Sequence, residues 1–238
     1  MMKVKVAFIA LSCMLAHRVS RAQCIPPLCE NAHLATGTLG YGSARIADLG
    51  TVPDRVMRGV NGRLDVRILP ILVRQLPFAT HDALFGDFTY GPNTSEKVPT
   101  NRPEPTVGTQ VTFGYELLVG GQAQGVAVLG GVGWRHYVHR IGSTKMIDTS
   151  LPLLARVEVG GRRRVVVTVW SSFRRDAPTG GRVELPITRP LSLSVMYWQA
   201  DGSATLFITP TTEVRAARAR TLTVGLRTVQ RSVKRSPE

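Results

Sequence analysis

The chain is short of several things. No run of 18 or more apolar residues occurs in its 238 residues, which excludes a helical membrane protein. Glycine and proline number 23 and 15, too few for a collagen-like or low-complexity polymer. Acids are scarce, 16 against 30 bases, for a formal net charge of +14. The bases make no long tract and no nucleic-acid-binding fold is recognisable, so this charge does not point to DNA or RNA. Apolar residues, in contrast, make up 43% of the chain. That excludes a disordered protein and allows one sizeable domain.

Residues 1–22 read as a secretory signal. Lys3 and Lys5 form a positive start, and residues 6–16 are an apolar stretch too short to span a bilayer. Ser20-Arg21-Ala22 then places small residues at positions −3 and −1 of a cleavage site. Its removal takes away Lys3, Lys5, Arg18, Arg21 and Cys13 and no acid, leaving 26 bases and 16 acids, a net of +10. Residues 23–33 then carry two cysteines, Cys24 and Cys29, around Pro26 and Pro27. In an oxidising compartment such a pair closes a short disulfide loop. Acylation of Cys24 is disfavoured because Arg21-Ala22-Gln23 is not a small, apolar approach, and no histidine stands beside the thiols to complete a metal site.

From residue 34 onward the apolar residues recur with period 2. Val111, Phe113, Tyr115, Leu117 and Val119 share one face of 109–119, with Thr112, Gly114, Glu116 and Leu118 opposite. Across a turn at Gly120-Gly121-Gln122, Val126, Val128, Val132, Trp134 and Val138 alternate with Gly131, Gly133, Arg135, Tyr137 and His139. This pattern predicts strands, since a helix needs apolar spacings of three and four. Further strands are expected at 34–46, 62–69, 83–90, 151–159, 162–173, 182–188, 191–199, 204–209 and 221–227. Turns are expected at Gly160-Gly161, Arg189-Pro190 and Ala200-Asp201-Gly202-Ser203, and 91–108 is a loop with four prolines. No helical period appears. The expectation is an all-β domain of eight to ten antiparallel strands over 34–230, with a basic tail at 231–238.

Two architectures fit this pattern: an up-and-down barrel in a membrane, and a secreted soluble β-sandwich, which would be periplasmic or exported. Several segments approach the roughly 9–11 residues that a membrane-crossing strand needs. Trp134, Phe173, Tyr197 and Trp198 fall near the ends of apolar runs, where an interfacial girdle places aromatics. With its signal segment, the hairpin at 109–119 and 125–138, and the alternating runs 188–197 and 220–227, the chain resembles the small, porin-like bacterial outer-membrane β-barrels. It departs from them in lacking an aromatic at the end of its last strand and in its positive charge. The resemblance implies an outer-membrane location. Val111, Phe113, Tyr115, Leu117, Leu222, Val224 and Leu226 would then face lipid, and Glu116, Arg135, Tyr137 and Arg227 the lumen.

Chemistry is thinly signalled. His136 and His139 are three apart, on opposite faces of a strand, so they do not chelate one metal. Ser143, Ser150 or Glu116 could meet His139 in three dimensions, but no local motif singles them out. Gly130-Gly131-Val132-Gly133 lacks the helix of a phosphate loop and reads instead as close packing, curvature or a bulge. The expectation is therefore a non-enzymatic protein without cofactor or metal, its lumen either filled by side chains or a narrow pore. Arginine supplies 25 of the 30 bases. The run Arg162-Arg163-Arg164 is the candidate anion-binding element, because the guanidinium fork pairs with phosphate and carboxylate. The partners it would meet are outer-membrane lipid, lipopolysaccharide or another anionic glycan.

Overall fold

The computed structural model describes residues 35–48, 54–68, 79–94, 107–160, 164–172, 178–188, 190–208 and 211–229. The signal segment, the Cys24–Cys29 loop, Arg162 and Arg163, and the tail lie outside the described residues. Eleven strands follow one another: β1 (Ala35–Asp48), β2 (Arg55–Val66), β3 (Ala79–Pro92), β4 (Val107–Ala123), β5 (Val126–Ile141), β6 (Thr144–Ser150), β7 (Pro152–Val159), β8 (Val165–Ser172), β9 (Thr179–Pro186), β10 (Leu191–Ile208) and β11 (Thr211–Val229). All pairings are antiparallel between neighbours, and β11 pairs with β1 from Thr36↔Val229 to Asp48↔Ala217. The sheet therefore closes on itself, which excludes the two-sheet sandwich.

β6 and β7 share one place in the wall. Both pair with β5, β6 along Arg135–Ile141 and β7 along Val126–Val132. The break falls at Leu151, ahead of Pro152, whose missing N–H cannot continue a ladder. Counted this way the barrel has ten strands. It does not keep ten along its whole height. β8 and β9 are eight residues each, and past their end β6 pairs directly with β10 at Ala204↔Met146, Thr205↔Lys145 and Leu206↔Thr144. The end that carries the chain termini is ten strands wide and the opposite end is eight.

Several turns differ from the sequence expectation. β4 runs through Gly120-Gly121-Gln122 to Ala123, and the hairpin is made by Gln124 and Gly125, with φ of 48° and 82°. Two successive left-handed residues give the twist that a two-residue hairpin needs. Gly120 serves another purpose: a Cβ there would lie 2.0 Å from the Val128 carbonyl oxygen. Asp201-Gly202 is not a turn either, because β10 is continuous from Leu191 to Ile208. Gly202 is where β6 crosses over, and a Cβ there would meet Met146 at 2.9 Å. β2 starts at Arg55, earlier than expected, and β6 falls in a segment where no strand was expected. Within the expected 162–173, β8 is described over Val165–Ser172.

The two faces of the wall are inverted relative to a soluble protein. Leu39, Tyr41, Val60, Leu64, Phe88, Val111, Phe113, Val132, Val169, Leu222, Val224 and Leu226 are exposed on the outside. Tyr115 and Leu117 are half-buried on that same face. Inside, toward the eight-stranded end, an apolar group of Ile46, Met57, Ile141, Met146, Ala200, Ala217 and Ala219 is packed with Tyr137 and Trp198. The middle of the interior is charged.

Candidate functional site

Six arginines and six carboxylates are buried among the described residues: Arg55, Arg63, Arg135, Arg156, Arg182 and Arg227 with Asp65, Asp82, Asp87, Glu116, Glu158 and Glu184. They are equal in number although the chain is strongly basic. Two more arginines, half-buried, reach interior carboxylates as well, Arg67 at Asp82 and Arg164 at Glu158. Strand alternation places most of them, since a charge flanked by two lipid-side residues must point inward. Three strands use the same short device, Arg63-Leu64-Asp65, Arg156-Val157-Glu158 and Arg182-Val183-Glu184. The apolar middle residue faces out while arginine and acid meet on the inner face, at 2.8, 2.7 and 2.9 Å respectively.

These local pairs are then joined across the barrel. Asp65 of β2 also lies 3.5 Å from Arg227 of β11 and 3.8 Å from Arg182 of β9. Arg227 donates to Glu184 Oε1 at 2.7 Å and to Thr36 Oγ1 at 2.8 Å. Asp65, Arg182, Glu184 and Arg227 thus form a closed ring of opposite charges held by three strands. A second branch runs from Arg63 to Glu116 at 3.9 Å, and Glu116 accepts from Arg135. The Arg135 guanidinium lies 4.0 Å over the Trp170 ring and Arg63 lies 4.1 Å over Phe85, contacts that stabilise a cation withdrawn from water. Asn61 donates to Asp87 at 2.8 Å, and Arg156 Nη1 lies 3.3 Å from His81 Nε2 across the interior.

Nearer the eight-stranded end the polar contacts thin out. Thr221 donates to Gln110 Oε1 at 3.1 Å. Tyr137, His139 and Trp198 stack edge-on or tilted with centroids 5.0–5.5 Å apart.

The four residues expected in the lumen, Glu116, Arg135, Tyr137 and Arg227, are all buried on the inner face, Glu116 at 1% exposure. The structure joins Glu116 with Arg135, and Arg227 with Glu184 and Asp65. Sequence reasoning did not foresee Arg182, Glu184, Arg156 or Glu158, although the repeated arginine–apolar–acid triplet is a readable signal for them. His136 is outward, within 2.7 Å of Thr149 Oγ1, and His139 is fully buried. Both ring nitrogens of His139 lack a hydrogen-bond partner among the described residues, so neither Ser143, Ser150 nor Glu116 is engaged by it. No group of three or more metal-ligating side chains gathers among the described residues. Arg164 donates to Glu158 at 2.9 Å. The β7–β8 connection that carries it lies at the ten-stranded end, where Gly160 N–H also meets the Gly125 carbonyl of the β4–β5 turn.

Apolar outside, charged inside and closed without an edge: this is the design of a β-barrel that crosses a membrane. No family model matches the chain, and no curated protein matches its sequence. Solved structures similar to it are outer-membrane barrels. Neisserial surface protein A matches at 15% identity and TM-score 0.36, over 84% of this chain and 99% of that one. The attachment invasion locus protein Ail of Yersinia pestis matches at 11% and 0.31, over 81% and 97%. The outer membrane protease OmpT from Escherichia coli matches at 10% and 0.37, over 88% and 99%.

Proposed function

We propose that this protein is a non-enzymatic barrel of the bacterial outer membrane, with a structural or envelope-binding role and a lumen occupied by its own side chains. The observation that carries this reading is the interior itself. Buried arginines and carboxylates pair with one another there, and their pairs bridge strands on different sides of the barrel. An eight- to ten-stranded barrel has little width beyond what side chains fill. The outward band of Leu, Val, Phe and Tyr supports a lipid environment, because so large an apolar surface is not kept exposed by a soluble monomer. Export through the expected signal segment supports the outer rather than the inner membrane.

Cell fractionation and planar-bilayer recording test the two halves of this reading separately. The protein is expected in the outer-membrane fraction, extracted only by detergent. A folded, detergent-free soluble form would refute the membrane assignment. Reconstituted protein is expected to give no steady, large single-channel conductance. A stable open level of that kind would replace the filled barrel with a pore.

A further inference from the structure

The outer face of the barrel changes chemistry at one height. The strand ladder that starts at Arg140 of β5 passes Thr109, Tyr90, Val60 and Tyr41 to reach Val224 of β11. In the other direction it passes Lys145 and Thr205 and reaches Val214 of the same strand. The circuit therefore returns ten residues from where it left, which is the stagger of tilted strands in a closed barrel. Points of equal height drift steadily along this ladder. The level of Arg140 and Lys145 meets β11 between Val224 and Val214, at Arg218 and Arg220. It meets β1 beyond Tyr41, at Arg45, and Arg58 of β2 lies close below it.

All six of these bases are on the outward face. Arg45, Arg58, Arg140 and Arg220 are exposed, and Lys145 and Arg218 are partly so. Arg45 stands directly across from Arg220, and Arg140 directly across from Lys145. Like charges opposed in this way destabilise a sheet. Part of the charge is answered within the chain: Arg45 pairs with Asp54, and Arg218 reaches Asp201 at 3.0 Å. Arg58, Arg140, Lys145 and Arg220 form no ion pair among the described residues. Toward the ten-stranded end the same face becomes apolar, with Leu222, Val60 and Val138 next outward after Arg220, Arg58 and Arg140, and Tyr41 beyond Ser43 after Arg45.

We infer that this girdle is a binding surface for lipopolysaccharide, with the headgroup phosphates between the opposed bases and the acyl chains along the apolar band below. A partner that answers both features must carry fixed negative charge directly above hydrocarbon. A soluble glycan offers only the first, and an uncharged lipid only the second. The inference rests on the proposed outer-membrane location and on its orientation. With an even number of strands, both termini leave at the ten-stranded end, which faces the periplasm from which the chain is inserted. The girdle then lies at the outer leaflet. Arg164, which leads into β8, lies at the opposite, periplasmic end.

The test uses the full-length protein purified in detergent and titrated with purified lipopolysaccharide, with its dephosphorylated form and with phosphatidylglycerol. Wild type is expected to prefer intact lipopolysaccharide. The quadruple variant R45Q/R140Q/K145Q/R220Q should bind it about tenfold or more weakly, as loss of several charge-assisted contacts requires. The gap should close as salt rises from about 0.1 to about 1 M, where the screening length falls to ~3 Å. If the quadruple variant loses its β-type circular dichroism, R140Q/K145Q alone carries the comparison. Equal binding of the variant and wild type, or of the phosphorylated and dephosphorylated forms, would overturn the inference. Equal binding of phosphatidylglycerol would overturn its assignment to lipopolysaccharide. Fractionation keeps the two claims apart: a protein found in the outer membrane whose variant binds normally refutes the girdle and leaves the barrel reading intact.

Discussion

Thr221 and Gln110 are 111 positions apart in the chain, yet their side chains hydrogen bond at 3.1 Å. They sit on β11 and β4, and at the eight-stranded end three strands separate these two in either direction. They are thus diametrically opposed. At this level the interior is no wider than two side chains end to end. Shortening both sides, as Gln110→Ala with Thr221→Ala, is expected to leave a closed or near-closed barrel in bilayer recordings, because His139 directly across from Gln110, Trp198 directly across from Thr221, and Tyr137 stacked on both still fill the interior. A large conductance from this double variant would show that the contact is the gate.

Asp65 faces three guanidinium groups, those of Arg63, Arg182 and Arg227. Asp65→Ala leaves those buried cations without their shared anion. The expected loss is about 3–5 kcal/mol, the usual consequence of removing one partner of a buried pair. Urea unfolding in lipid vesicles measures it. A change below about 1 kcal/mol would mean that water, not Asp65, compensates the arginines.

The outward face should reject charge. Val224→Arg puts a cation in the outward apolar band and should cost about 2–4 kcal/mol near the midplane. Thr223 is one residue away, buried on the inner face, and Thr223→Ser, which keeps the hydroxyl and removes one methyl, should cost about 1 kcal/mol or less. Equal effects would remove the basis for assigning lipid to the outside.

Glycines offer a sharper geometric check. A Cβ on Gly131 would lie 1.9 Å from the Leu117 carbonyl oxygen, whereas one on Gly86 meets nothing within 4 Å. Gly131→Ala must displace a neighbouring strand and is expected to cost about 1–3 kcal/mol. Gly86→Ala should be neutral or slightly stabilising. Unfolding midpoints of the two variants decide between them.

Cys24 and Cys29 are expected to be joined in the exported protein, which mass spectrometry of the unreduced N-terminal peptide would show. The loop they close precedes β1, so Cys24→Ser with Cys29→Ser should leave the unfolding midpoint unchanged. Free thiols in protein recovered from the envelope would contradict the pairing.

Strand alternation was the legible part. It orders Val111 and Phe113 against Glu116, and Leu222, Val224 and Leu226 against Arg227, and the structure exposes the former and buries the latter. Alternation fixes the face of a residue but not its height. The meeting of Asp65 with Arg182 and Arg227 depends on the stagger between β2, β9 and β11, which no local pattern encodes. The narrowing from ten strands to eight was equally hidden. It arises from the break at Leu151-Pro152 and from β6 reaching past the short β8–β9 hairpin. Asp201-Gly202 misled for a related reason: it has the composition of a turn, but its glycine makes room for Met146 on the crossing strand.

The pairing of β1 with β11 also governs how such a wall can be built. Thr228 donates to the Gly37 carbonyl across a separation of 191 residues, so the seam joins the first strand to the last. Until β11 arrives, every partial assembly presents two unsatisfied edges, each a template for a stray strand. Contacts this distant in sequence also make folding slow. The seam therefore makes assembly all-or-none: a nascent barrel missing its final strand gains no partial closure, and it must be shielded from its neighbours until synthesis and export have delivered the whole chain.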